Sequence, residues 1–343
     1  MAGKIEASRA LDGVNQVFLS KHASANVAFT IMHFNDFHSR IEPDNESHGW
    51  CETWAMEAGR CHGGIARMKT VIDQERAKGK PVLVLNAGDD FIGTLWDHHF
   101  KGKAVSHFAN QLGITAMTLG NHDFDYGPDV TLEYIKQLNF PVVSGNLNAN
   151  EHEIGNFVRQ YLVVEVDGHK VGICGSTTQV TQEWSKPHPV QMEDSHWKAR
   201  ECVEKLKSQG VQIIIMLSHE GYNADKYIAR QVPGLDLVIG GHSHAFLYSG
   251  EAPTIAKDYG AHEKVWGSYP TWEDSWVEPG RSIPVLQAGW ASRYMGRVEV
   301  EFDDSGNLVS VHGSPILLGS DMSENPVFED PGIKQQIKDM KFW

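Results

Sequence analysis

Leu119-Gly120-Asn121-His122-Asp123-Phe124-Asp125-Tyr126-Gly127 places an amide, an imidazole and two carboxylates within five residues. An apolar, β-leaning run at 114–119 feeds straight into it, and Gly120 allows a sharp turn where a side chain would clash. A strand that ends in glycine and spills polar groups into a loop is where open α/β sheets keep their chemistry. Taken alone, the stretch also suits a plain turn with a satisfied histidine and solvated aspartates.

The flanking sequence alternates strand and helix patterns, which predicts an α/β domain. Apolar runs at 27–34, 81–85, 140–144, 211–217 and 235–239 read as strands. Helical spacing appears at 63–78, 104–112, 129–137, 195–208 (closed by Gly210) and 331–340 (with Pro331 in the first turn). Hairpins are predicted at 161–166/170–174, around Asp167-Gly168, and at 293–302/308–312. Residues 1–26 read as a loose arm. Residues 251–282, rich in Pro, Gly, Trp and charge, read as a long surface insertion.

The chain has 343 residues, 41% of them apolar, which bounds it to one large α/β domain or two domains with a substantial core. A net charge of −14 argues against a nucleic-acid polymer as partner, because phosphate backbones need a basic surface. A small anionic substrate stays open if metal ions supply local positive charge. No apolar run approaches the roughly 20 residues that span a bilayer. The run at 14–19 is too short for a signal peptide, so either the protein is cytosolic or a leader is missing from the chain. Of four cysteines, Cys174 and Cys202 read as ordinary buried thiols. Cys51 and Cys61 flank a polar loop; a local disulfide there would imply an oxidising compartment, and spacing alone leaves the matter open. Oligomeric state is not legible.

Five strands end in polar clusters: Asp36-Phe37-His38, Gly88-Asp89-Asp90, Gly120-Asn121-His122, Ser218-His219 and Gly241-His242-Ser243-His244. Five such endings, all with Asp, Asn or His, are hard to explain by turn chemistry, and these residues are ligands for divalent metals. Asp36 and His38, like His242 and His244, are alternate residues and share a face if extended. The count suits two ions: Asp36, His38, Asp89 and His244 for one, and Asp89, Asn121, His219 and His242 for the other. Asp89 is the shared ligand, since a carboxylate has two oxygens. Two ions roughly 3.5–4 Å apart activate water and clamp a displacement at phosphorus. His122 is spare, and Asp125 is placed to favour its charged form. Weaker candidates are Asp90 as a ligand, Arg40 on a substrate phosphate rather than in an ion pair, and Asn146 lining the site rather than a turn. His33, His98, His99 and His107 read as ordinary. Trp266, Trp272 and Trp276 mark either a sticky surface or the core of the insertion.

These blocks, in this order, resemble the 5′-nucleotidase branch of the calcineurin-like metallophosphoesterase superfamily. The resemblance rests on 35–40, 88–94, 120–127 and 240–250, with Cys61-His62-Gly63-Gly64-Ile65-Ala66-Arg67 also similar, and covers about 27–335. It implies a four-layer α/β/β/α sandwich, with a catalytic domain at 27–325. It also implies two zinc-type ions on the ligands above (manganese or others are possible) and a His122–Asp125 catalytic dyad. A Cys51–Cys61 bond is supported by the disulfide loop of animal relatives. The implied activity is hydrolysis of nucleoside 5′-monophosphates. Some relatives cleave cyclic nucleotides or nucleotide-sugars, and a non-catalytic metal- or nucleotide-binding relative is the alternative. The implied location is extracellular or membrane-anchored. The position of His244 is usually Asn or Gln in close relatives. The family's C-terminal domain, with its base-stacking aromatic pair, lies beyond Trp343. Residues 326–343 resemble the start of the connector to it, so the expectation is a catalytic half without its specificity half.

Overall fold

Strand Val27–Phe34 buries both faces, and its alternate residues enter different cores. Val27, Phe29 and Ile31 pack toward a second sheet, while Met32 and Phe34 lie under helices. A strand's period-two side-chain direction produces this split. Leu83 and Leu85 against Val82 and Val84 repeat it, as do Ala116 against Met117 and Val143 against Val142. The computed structural model describes residues 18–19, 26–253, 264–320 and 326–341.

The first sheet runs Leu308–Gly313, Tyr294–Phe302, Val27–Phe34, Val82–Asn86, Ala116–Met117, Val142–Val143, Val158–Arg159, with Ile316–Leu317 on a side branch. The second runs Phe18–Leu19, Tyr161–Val166, His169–Thr177, Ile213–His219, Leu237–Ile239, Ser282–Leu286, Thr271–Asp274. Helices Ile65–Arg76, Lys103–Ala109 and Pro128–Gln137 cover the outer face of the first sheet. Ser195–Ser208 and Tyr222–Gln231 cover the second. The four-layer α/β/β/α sandwich is therefore present.

The central strands of both sheets are parallel, so their C-terminal ends, and the loops that follow, gather at one edge. There the sheets touch. Gly145 N donates to Gly175 O (2.8 Å), Thr118 Oγ1 to Ser176 O (3.0 Å) and Thr177 Oγ1 to Leu119 O (2.8 Å). A Cβ on Gly175 would stand 2.2 Å from Val143 O, so only glycine permits this approach. The runs at 114–119 and 140–144 form regular ladders at Ala116–Met117 and Val142–Val143; beyond them Thr118 N still donates to Asn86 O (2.9 Å) and Ser144 N to Arg159 O (2.8 Å), while the Thr118 and Ser144 hydroxyls reach the facing sheet.

Three expectations change. Cys174 and Cys202 are not free thiols but a disulfide: helix Ser195–Ser208 lies on strand His169–Thr177 and brings their Cα atoms to 6.1 Å. Cys51–Cys61 is bonded as well. Of the arm at 1–26, Phe18–Leu19 forms a short parallel strand against the open edge at Glu165–Val166; apart from Asn26, the remainder lies outside the described residues. Of the insertion at 251–282, residues 254–263 also lie outside them, and the rest carries two short strands joined by turns. Val265–Gly267 pairs with Phe246–Leu247, and Thr271–Asp274 forms the second sheet's edge. Trp266, Trp272 and Trp276 stay exposed rather than forming a core. Helix Pro331–Met340, capped by Asp330 Oδ1 on Ile333 N (2.8 Å), buries Ile333 and Ile337 in the helix-side core.

Candidate metal centre

The structure brings together all seven candidate ligands at the shared sheet edge. Asp36 and His38 follow Val27–Phe34, Asp89 follows Val82–Asn86, Asn121 follows Ala116–Met117, His219 ends Ile213–His219, and His242 and His244 follow Leu237–Ile239. Two groups form. Asp36, His38 and His244 each place a ligand atom within 4.8 Å of the others, and so do Asp89, His219 and His242. His38 Nε2 lies 3.2 Å from His244 Nε2, which is 3.3 Å from Asp36 Oδ1. His219 Nε2 lies 3.2 Å from Asp89 Oδ2 and 4.0 Å from Asp36 Oδ1, so the groups adjoin. Asn121 Oδ1 stands 2.8 Å from His242 Nδ1.

The sharing of a face by alternate residues does not operate here. Asp36, His38, Asp89, His242 and His244 have φ of 51°, 50°, 61°, 71° and 54°, so these loops are left-handed turns, not extended chain. Asp36 and His38 still meet, but His242 and His244 enter different groups. Each left-handed non-glycine residue costs on the order of 1 kcal/mol, and such residues cluster at working sites.

The donor set fits divalent cations. His219 Nδ1 donates to Ala87 O (2.6 Å), and His38 Nδ1 donates to Phe91 O (3.1 Å) and Ile92 O (3.0 Å). Carbonyls only accept, so whenever either ring is neutral its lone pair sits on Nε2, the nitrogen on the side of the carboxylates. Asp36 Oδ1 and His219 Nε2 are buried without a hydrogen-bond partner. Two nitrogens bound at ~2.0–2.1 Å to one tetrahedral zinc lie roughly 3.3 Å apart, close to the contacts seen. Burial opposes charge on His219, yet Asp89 and Asp36 raise its pKa to about 10, so the pocket asks for positive charge. Burial also opposes ionisation of Asp89, but His219, His38 and His122 hold its carboxyl below the usual range. Burial and the His219 charge lower His242 to about 4.

Beside the two groups, His122 Nδ1 donates to Asp125 Oδ2 at 2.7 Å. That bond, with the Asp89 and Asp125 charges, raises the imidazole to about 9 against the pull of burial. Its ring stands 5.4 Å from that of His38.

The family model described as calcineurin-like phosphoesterase matches residues 29–246. The chain belongs to the calcineurin-like phosphoesterase family. It is 41% identical to a Bos taurus 5′-nucleotidase over 90% of this chain and 51% of that protein. It is 39% identical to a snake venom 5′-nucleotidase of Crotalus adamanteus, over 93% and 52%. Among solved structures it resembles a Thermus thermophilus 5′-nucleotidase precursor (TM-score 0.80, 34% identity, 91% of this chain and 58% of that one). A Haemophilus influenzae NAD nucleotidase follows at TM-score 0.76 and 27% identity, over 93% and 57%. The chain thus spans about half the length of these relatives.

Several parts of this phosphoesterase centre were not legible beforehand. Asp123 accepts backbone N–H groups from Gly120 (2.7 Å), Asp90 (2.9 Å), Asp89 (3.2 Å) and Phe91 (3.3 Å), and so ties two ligand loops together. Gly120 is needed for space, not for a left-handed turn: a Cβ there would stand 2.0 Å from Asp89 Oδ1. Trp290 stacks on His244 (4.7 Å, 11°). Trp184 lies against His242 (5.7 Å). Of the weaker candidates, Asp90 is bound by Tyr134 Oη and Asn86 Nδ2. Asn146 joins the sheets, donating to Thr177 O (2.7 Å). Arg40 pairs with Asp44 (3.3 Å), its Cζ 5.8 Å from the centre of the Trp290 ring. His33 bonds Tyr269 Oη (2.7 Å) in the core, and His107 bonds Gln336 (2.9 Å).

Proposed function

We propose that the chain is the catalytic part of a two-metal phosphomonoester hydrolase that releases phosphate from nucleoside 5′-monophosphates. The observation that carries this reading is the adjoining pair of ligand groups, with Asn121 and the His122–Asp125 pair beside them. Asp36, His38, Asp89 and His244 would hold one ion. Asp89, Asn121, His219 and His242 would hold the other, with Asp89 common to both sets. Zinc suits the imidazole-rich set, and manganese is a working substitute. When bound, the two ions supply a water of lowered pKa and positive charge for the phosphoryl oxygens.

The chain's own groups do the rest. His219 and His38 present fixed lone pairs because backbone carbonyls take their Nδ1 protons. His122, kept protonated by Asp125, places a cation against the phosphoryl group and a proton within reach of the leaving oxygen. Water oxygen bonds to phosphorus, the bond to the sugar oxygen breaks, and that oxygen takes a proton. Asn121, and with less support Arg40, contribute to phosphate binding.

The two disulfides support an oxidising, extracellular or membrane-anchored setting. No helix of the described residues is long and apolar enough to cross a membrane. The decisive test is phosphate release from adenosine 5′-monophosphate with added zinc or manganese. Release that stops on chelation supports the reading, and no release from any monophosphate with both sites loaded refutes it.

A further inference from the structure

His244 is the exposed member of its ligand group. Its side chain is 37% exposed, while Asp36 and His38 are buried. Backbone carbonyls take the Nδ1 protons of His38 and His219, but among the described residues no hydrogen bond reaches Nδ1 of His244. A side chain in the open has several staggered poses, and coordination needs the one that aims Nε2 at Asp36 and His38. Something other than burial or a hydrogen bond has to select that pose.

The contact that selects it is Trp290. The indole lies on the His244 imidazole at 4.7 Å and 11°, a stacked arrangement in which each ring plane orients the other. It also meets the His38 ring edge-on, at 5.9 Å and 80°. The indole is half-buried, and its backbone is tied on both sides. Before it, Gly289 O accepts from Asn35 Nδ2 at 2.6 Å and Gly289 N donates to Ala245 O at 3.1 Å. After it, Ala291 N donates to Asp36 O at 2.8 Å. The segment that carries Trp290 is therefore bonded to the loops that carry Asp36 and His244. The His48 ring, 4.1 Å away, and the Arg40 guanidinium, 5.8 Å from the ring centre, pack the indole in place. A ligand already held in its coordinating pose binds an ion more tightly, because binding need not then restrict it.

We propose that Trp290 is a positioning residue: its indole fixes the His244 ring and so sets the affinity of the ion on Asp36, His38 and His244. The inference rests on the two-metal reading above and deepens it, since it makes the hold on one ion depend on a side chain that is not a ligand.

The test titrates zinc into the full chain against a chromophoric chelator and resolves the two affinities. Trp290→Ala is expected to weaken one ion roughly 10- to 100-fold, the range for removing a group that orients a metal ligand, and the other by less than about threefold. Trp290→Phe keeps an aromatic face and should stay within about threefold of the parent for both ions. In a His244→Ala background, Trp290→Ala should add less than about threefold, because the ring it orients is gone. Unchanged affinities, equal weakening of both ions, or a full further loss in the absence of His244 each overturn the proposal. Should Trp290→Ala fail to fold by circular dichroism, Trp290→Leu, which fills the space without a flat face, carries the same expectations and the same refuting outcomes. A parent that binds two ions whatever stands at position 290 refutes this inference alone. A parent that binds fewer than two refutes the two-metal reading and this inference with it.

Discussion

Replacing Asp89 by asparagine keeps the shape of a buried side chain and removes one negative charge. Asp89 is 1% exposed; Oδ1 accepts from His122 N at 2.8 Å and Oδ2 faces His219 Nε2 at 3.2 Å. Asparagine can keep the first contact through its carbonyl, so the loop survives. The ligand atoms of its group lie within 4.8 Å of one another, which puts any ion among them nearer still. A unit charge ~4 Å from another at an effective dielectric of ~20 is worth ~4 kcal/mol, about a thousandfold in an equilibrium constant. A divalent ion raises that figure, so Asp89→Asn is expected to weaken each ion by at least ~10³-fold if both share the carboxylate. The assay is zinc content by mass spectrometry after desalting, joined to competition against a chromophoric chelator, with circular dichroism to confirm the fold. Asp36→Asn is the contrast: it should weaken chiefly the ion on His38 and His244. An Asp89→Asn chain that keeps both ions with affinities near the parent's refutes the shared ligand. Loss of only one ion would reduce Asp89 to a single site.

His122→Ala should keep both ions and slow phosphate release by ~10²–10⁴, the range for a positioned acid; metal content and kcat measured on the same sample check it. Glu75 is buried against Arg297 (2.7 and 2.9 Å), Lys78 (2.7 Å) and Thr30 (3.1 Å), and although burial opposes it, these partners lower its pKa to about 2. A depressed carboxyl stabilises the fold above its unfolded pKa and loses that contribution as pH falls. The displacement from 4.5 to about 2 is worth about 3 kcal/mol, which solvent around the exposed Lys78 partner screens to about 2, so Glu75→Gln should cost about 2 kcal/mol at pH 7, with the difference from the parent closing between about pH 4.5 and pH 2 in thermal melts. Removing the Cys174–Cys202 bond, which spans 28 residues, with a double Ser substitution should cost about 3.5 kcal/mol by the chain-entropy relation, read in urea titrations under oxidising conditions.

The candidate ligands are legible because each sits at or just past the end of an apolar run, and parallel strands carry such positions to one edge whatever their distance in the chain. The layering is legible for a similar reason: Val27–Phe34 and Val82–Asn86 are apolar on both faces, as strands covered twice must be. Backbone handedness was not. Nothing in Asp36-Phe37-His38 separates an extended segment from a left-handed turn, and the two assign His242 and His244 differently. Asp123 escaped notice because a carboxylate satisfied by backbone N–H groups has the same letter as one in water. Trp184 and Trp290 reach the centre from segments that supply no candidate ligand. The Cys174–Cys202 bond depends on where one helix lies across a sheet, which spacing does not encode.

The left-handed turns that present five of the candidate ligands carry a consequence for selection. At positions 36, 38, 89, 242 and 244 the relaxed choice for the chain is glycine, which removes the coordinating atom along with the tension. A search for heat-tolerant descendants that monitors folding alone would be drawn to those codons first. It would return sturdier proteins with an empty heart, so any such campaign has to screen for bound metal at every round.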